Sequence, residues 1–139
     1  KRWRLVDLYY SRLGELPGLA FQQITPGSTC TYKDFSVLVD PDAFGINRDQ
    51  LAIALQSEGI ATRKYYYPPV HAQKSFALYS GEYVNKLPYT ERIGRNVLCL
   101  PLFSHMSEET LLKICDCVEL LHDHKEGVRK FFLTNSKLK

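Results

Sequence analysis

The sequence predicts an α+β fold: a small antiparallel or mixed sheet of about three strands, with helices packed on one face. Two observations carry this. Segments with apolar residues at helical spacing alternate with short runs rich in β-branched and aromatic residues, in the order helix, strand, helix, strand, small helices, strand, helix. The strand candidates are three, all short, with helices between them.

Trp3, Val6, Tyr10 and Leu13 recur at helical spacing, which predicts an amphipathic helix over residues 2 to about 14, ended near Gly14 and Pro17. A loop with Pro17, Gly18, Pro26 and Gly27 follows. In "CTYKDFSVLVD" the second half, "FSVLV", reads as a strand closed by Pro41 and Asp42. Asn47 is placed to cap the next helix, with Gln50 completing a capping box and Leu51, Ala54 and Leu55 as the apolar face. Gly59 sits where a helix commonly ends with positive φ.

Ile60 to Tyr67 reads as a second strand, broken by Pro68 and Pro69 because neither can donate to a ladder. Gln73 to Tyr79 reads as a short helix, "SGEY" as a turn, and Pro88 as the first-turn residue of a helix from Tyr89 to about Asn96. "VLCLPL" reads as a buried strand stopped by Pro101. Ser107 caps the last clear helix, with Glu108 and Glu109 at its positive end. Leu111, Ile114, Cys115, Val118 and Leu121 form its buried stripe, and His122, His124 and Lys125 lie near its negative end. The basic tail "GVRKFFLTNSKLK" either extends that helix or wanders.

With 139 residues, 45% hydrophobic and 24% charged, the chain has the composition of one ordinary globular domain. No apolar run approaches the roughly 20 residues that span a membrane, and Lys1 to Arg4 with the mixed polar residues after them do not read as a signal peptide. A net charge of +3 says little about polyanions. Cys30, Cys99, Cys115 and Cys117 lack zinc-type spacing. They read as free thiols in a reducing compartment, which points to the cytoplasm. The chain opens on Lys1 with helical spacing and no capping residue. This predicts a domain cut from a longer protein, with a processed terminus as the alternative. Three parts are expected: residues 1–16, an N-terminal helix; residues 17–122, the body of the domain; and residues 123–139, the basic tail.

No G-x-S-x-G, Walker loop or G-x-G-x-x-G is present. His122 and His124 are two apart on a helix and diverge, so no metal site is expected, and His105 reads as a surface residue. The stretch "GIATRKYYYPPVHAQKSF" stands out. On a strand, Tyr65 and Tyr67 share one side and Lys64 and Tyr66 the other. Arg63 offers a planar fork for carboxylate or phosphate, and the paired prolines deliver His71 at a set distance. Two readings stay open: the tyrosines only pack and His71 only holds the turn, or one face meets a ligand.

"EGIATRKYYYPPVHAQKSF" and the later "LPYTERIGRNVLCLPLFSHMSEETLLKICDCVELL" resemble the C-terminal domain of the DegT/DnrJ/StrS-type sugar aminotransferases, and "NRDQLAIALQSEGI" fits the helix before the first motif. The resemblance spans about residues 30 to 122. It implies a fold-type-I enzyme dependent on pyridoxal phosphate, working as a homodimer and moving an amino group from glutamate to a nucleotide-linked keto sugar, in amino-sugar and cell-surface polysaccharide synthesis. The Schiff-base lysine and most cofactor contacts would lie in a missing N-terminal domain. This chain alone is therefore expected to bind no cofactor and to be inactive, with no catalytic residue assigned. Arg63, Tyr65, Tyr66 and His71 match the motif and are expected to line or support the substrate pocket. Many members carry a His-Tyr pair where this chain has Tyr65-Tyr66 and an added Tyr67. The alternatives from other classes are a stand-alone dimerisation module or a single-stranded nucleic-acid binder built on "RKYYY" and "VRKFF". The modest charge and missing RNP motif argue against nucleic acid as a partner.

Overall fold

The computed structural model describes residues 1–83 and 85–135. Helix α1 (Arg2–Leu13) leads into strand β1 (Leu19–Phe21) and strand β2 (Phe35–Val39). A one-turn helix α2 (Pro41–Phe44) and helix α3 (Arg48–Ser57) follow. Two 3₁₀ segments, Val70–Ala72 and Lys74–Tyr79, precede the short α4 (Ser80–Tyr83) and α5 (Pro88–Asn96). Strand β3 (Val97–Leu100), helix α6 (Glu108–Asp123) and helix α7 (Lys125–Thr134) complete the chain.

The sheet is three-stranded and antiparallel throughout, in the order β1-β2-β3. Ser36 stands opposite Cys99 and Val37 opposite Leu98, while Leu19 pairs with Val39. Alternation along β2 sends Phe35, Val37 and Val39 into the core. Helix α1 lies over this face: Tyr9 stacks on Phe35 with ring centroids 4.5 Å apart and planes 10° from parallel. Leu5, Val6 and Leu13 join Leu111, Ile114, Cys115 and Val118 of α6 in the same core cluster. Each aliphatic side chain among them contributes about 1.5–3 kcal/mol on burial. Outside the core, Arg12 ties α1 to α6 through Asp116 at 2.7 Å and Glu119 at 2.6 Å.

Several expectations are met in detail. Asn47 and Gln50 form the full capping box at α3, Ser107 caps α6 through the Thr110 amide, and Gly59 has φ +75°. Others need correction. The outer strand is not Ile60–Tyr67 but Leu19–Phe21, inside the Pro- and Gly-rich loop. Between 60 and 67 only Arg63 pairs with the sheet, exchanging both backbone hydrogen bonds with Cys99 (3.1 and 2.7 Å). Pairing stops there because the following residues turn toward α3 and α5, so the alternating faces expected for Tyr65–Tyr67 do not form.

The buried stripe of α1 is Leu5, Val6, Tyr9 and Leu13, and Trp3 is 45% exposed. Pro41 and Asp42 begin α2 rather than merely closing β2, because the Asp40 carboxylate accepts from the Asp42 and Ala43 amides. "SGEY" is a helical turn, not a simple turn. The tail does neither of the two things expected of it: α6 ends at His124, and α7 runs back to bury Phe132. Residues 136–139 of that tail lie outside the described residues. His122 lies in the last turn of α6 as expected, with its ring packed on Phe44 at 5.2 Å and Nδ1 3.5 Å from Asp123 Oδ1.

Gly18 explains why β1 can form where it does. Its φ is +81°, and a Cβ there would sit 2.2 Å from the Phe44 nitrogen. Its carbonyl accepts from the Asp40 amide at 2.8 Å. Only glycine allows this close approach.

Candidate functional site

Residues 63–71 form a connected run that the fold pins at five points. The first is the backbone exchange between Arg63 and Cys99. Lys64 then reaches Asp49 at the start of α3, with Nζ 2.5 Å from Oδ1. Tyr67 lays its ring over the Arg48 guanidinium, 4.8 Å from its centroid. Pro69 packs against Gly94 of α5, where a Cβ on the glycine would already touch the proline ring at 3.4 Å. Last, the Nε2 of His71 lies 2.6 Å from Oε1 of Glu91 on α5.

The acceptor-only chemistry of a carboxylate requires that Nε2 carry the proton and donate. This bond holds the Glu91 carboxyl below the usual glutamate range, with Arg95 adding to the effect. Asp49 is balanced differently: burial alone would push it up, but hydrogen bonds from Lys64 and Arg48 outweigh that and hold it low.

What remains free is a small group of side chains. Arg63 donates from Nη1 to the Tyr65 hydroxyl at 2.7 Å, and its guanidinium lies 5.8 Å from the Tyr65 ring centroid. Tyr66 tilts against Tyr65 with ring centroids 5.1 Å apart and is 70% exposed. A cavity of ≈ 890 Å³ opens beside this group, bordered by Ile60, Arg63, Tyr65, Cys99, Phe103 and Lys113. That size and mixed lining suit a substantial organic ligand with an anionic group.

Of the four residues expected at the site, the structure brings Arg63, Tyr65 and Tyr66 together. His71 is set apart, its ring facing Glu91 and, at 6.4 Å, Tyr83; of the four, only Arg63 and Tyr65 border the cavity. Sequence reasoning missed Arg48, Asp49 and Glu91 as partners of the run. Glu91 lay in the Glu-Arg pair of the second motif, which was the available signal. For Arg48 there was none, since an arginine in the first turn of a helix normally points to solvent.

Among the described residues, no group of three His, Cys, Asp or Glu is arranged to hold a metal ion, and no helix is long and apolar enough to cross a membrane. Lys113, on the cavity rim, is 2.7 Å from Glu109, and that bond pushes its pKa up.

Comparison with known proteins gives a consistent picture. The sequence profile of the DegT/DnrJ/EryC1/StrS aminotransferase family matches residues 1–119. The chain is 33% identical over 117 residues to a dTDP-4-amino-4,6-dideoxy-D-glucose transaminase of Escherichia coli, covering 82% of this chain and 30% of that protein. Among solved structures, DesV of S. venezuelae in complex with a ketimine intermediate superimposes with a TM-score of 0.76 at 29% identity, over 87% of this chain and 31% of that one. DesI in the presence of its TDP-sugar product superimposes with a TM-score of 0.79 at 25% identity, over 99% of this chain and 33% of that one. The 139 residues thus span about a third of the length of the proteins they match.

Proposed function

The chain belongs to the DegT/DnrJ/EryC1/StrS aminotransferase family, and from that premise we propose that it forms the substrate-side C-terminal domain of a pyridoxal-phosphate-dependent aminotransferase acting on a nucleotide-linked keto sugar. The observation that carries this reading is the placement of Arg63 and Tyr65 on the border of the ≈ 890 Å³ cavity, with the Tyr66 ring against Tyr65, on a run anchored at both ends.

Pyridoxal phosphate, when bound, supplies the electron sink for amino transfer. In this reading the lysine that holds it lies in the remaining two-thirds of the enzyme, and this chain contributes binding and orientation. Tyr66 offers an exposed aromatic face for a base or a sugar ring. Arg63, held by the Tyr65 hydroxyl, presents its remaining N–H donors to a phosphate or to the carboxylate of a glutamate donor. His71 supports the turn through Glu91 and so fixes the distance between the run and α5. The working enzyme is a cytoplasmic homodimer, and its product serves amino-sugar and surface-polysaccharide synthesis. Residues 1–16 lead from the cofactor domain, 17–122 are the small domain and 123–139 are an appended segment.

The test is amino transfer by the full-length protein. With pyridoxal phosphate, glutamate and a panel of dTDP- and UDP-linked keto sugars, mass spectrometry should show replacement of the ketone by an amine, with 2-oxoglutarate as co-product. Residues 1–139 alone should release pyridoxal phosphate on gel filtration and transfer nothing. Turnover by the short chain, or none by the full-length protein with any nucleotide sugar, would overturn the reading.

A further inference from the structure

Arg48 is the one strongly buried charged residue among those described, at 2% exposure. Burying a guanidinium is costly unless its donors are matched. Here Nη1 donates to the Gly94 carbonyl of α5 at 2.7 Å. Nε donates to Asp49 Oδ1 at 3.0 Å, and the same oxygen takes Lys64. The face of the guanidinium carries the ring of Tyr67 at 4.8 Å. One side chain of α3 therefore contacts α5 directly, Lys64 through Asp49, and Tyr67 directly. Lys64 and Tyr67 flank Tyr65 and Tyr66 on both sides.

We propose that Arg48 is a positioning residue: with Asp49 it clamps the two ends of the Tyr65–Tyr66 pair and so sets how Arg63, Tyr65 and Tyr66 are presented to substrate. The functional half of this statement rests on the substrate-side reading above; the clamp itself does not. The geometry asks for arginine in particular. A lysine keeps the charge but cannot donate along two directions while offering a flat face to a ring. At Tyr67 the ring face matters and the hydroxyl does not, so phenylalanine should serve and leucine should fail.

The test uses Arg48→Lys, Tyr67→Leu and Tyr67→Phe in the full-length protein, with two readouts. Native-state hydrogen exchange should show the amides of Arg63, Ala72 and Gln73, which bond to Cys99, Pro69 and Val70, exchanging about ten-fold faster in Arg48→Lys and Tyr67→Leu. The amides pairing β1 with β2 should stay unchanged, and Tyr67→Phe should match the wild type. Kinetically, the same two variants should raise KM for the nucleotide sugar several-fold while kcat stays within about two-fold.

Equal acceleration everywhere, or none at Arg63, Ala72 and Gln73, would overturn the clamp and leave Arg48 as ordinary core. Tyr67 is 55% exposed, so its variants fold even where Arg48→Lys does not. Local loosening with KM unchanged would also sink the positioning role. If the wild-type protein handles no nucleotide sugar, the functional reading falls, while the exchange pattern still decides whether the clamp exists.

Discussion

His71 and Glu91 meet at 2.6 Å across 20 residues of chain, and this contact fastens the end of the aromatic run to α5. The ring faces Glu91, and only 13% of the His71 side chain is exposed.

The contact has a pH signature. Unfolded Glu91 takes up its proton near the ordinary glutamate value of about 4.3, whereas the folded residue does so only at lower pH. Its contribution is therefore fully present above about pH 5 and is lost as pH falls through the depressed value. Glu91→Gln should flatten the acid limb of stability below about pH 5. Chemical denaturation at a series of pH values would check it; identical acid limbs for variant and wild type would remove the claim.

The exposed pair should separate from the anchors in kinetics. Tyr66→Ala removes an aromatic face that touches little else than Tyr65, so stability should hold while KM for the nucleotide sugar rises about ten-fold, roughly 1.4 kcal/mol of binding. Tyr65→Phe removes the hydroxyl that fixes Arg63 and should give a smaller rise. A Tyr66→Ala enzyme with unchanged KM would place the substrate elsewhere.

The fold was legible wherever local chemistry and burial agreed. The Asn47–Gln50 box, the Ser107 cap and the stripe from Leu111 to Val118 all follow from residue type and spacing. Strand β1 was not legible, because three residues beside Pro17 and Gly18 carry too short a pattern and gain their place only from β2. The opposite error arose at Ile60–Tyr67, where strong β-propensity lost to tertiary contacts with Asp49, Arg48 and Gly94. The site was half legible for the same reason. Arg63 and the tyrosines stand out as residues, but the partners that aim them, Arg48 and Glu91, lie 15 and 28 residues from Arg63 in sequence.

Alkaline pH should expose the cost of the buried acids of the core. Burial pushes the Cys115 thiol up to about 12 and raises Tyr9 as well. In the unfolded chain the thiol ionises near 8.5, so above that pH the unfolded state gains while the folded state keeps its proton. Stability should thus decline from about pH 8.5 toward pH 12, by about 2 kcal/mol at pH 10 from the thiol. Cys115→Ala should lower stability at pH 7 by about 1 kcal/mol for the lost packing, yet show a shallower alkaline limb. Parallel limbs would show that Cys115 is not the group responsible.

Gly18 and Gly27 offer a controlled comparison, because they share nearly the same backbone, φ +81° and +83°, in different surroundings. Alanine at either position meets the left-handed region, which costs about 1–2 kcal/mol. At Gly27 nothing lies within 4 Å of the added Cβ, so the cost ends there. At Gly18 the methyl would fall 2.2 Å from the Phe44 nitrogen and 2.6 Å from its Cα, which are backbone and buried-core atoms that cannot swing aside. Relieving that overlap must move α2 away from β1 or break the Asp40–Gly18 hydrogen bond, adding a further 1–3 kcal/mol. Gly18→Ala should therefore lower Tm several degrees more than Gly27→Ala, at roughly 3 °C per kcal/mol. Equal losses in the two variants would mean that the approach of Gly18 to Phe44 is looser than described, and that β1 is held by its pairing with β2 alone.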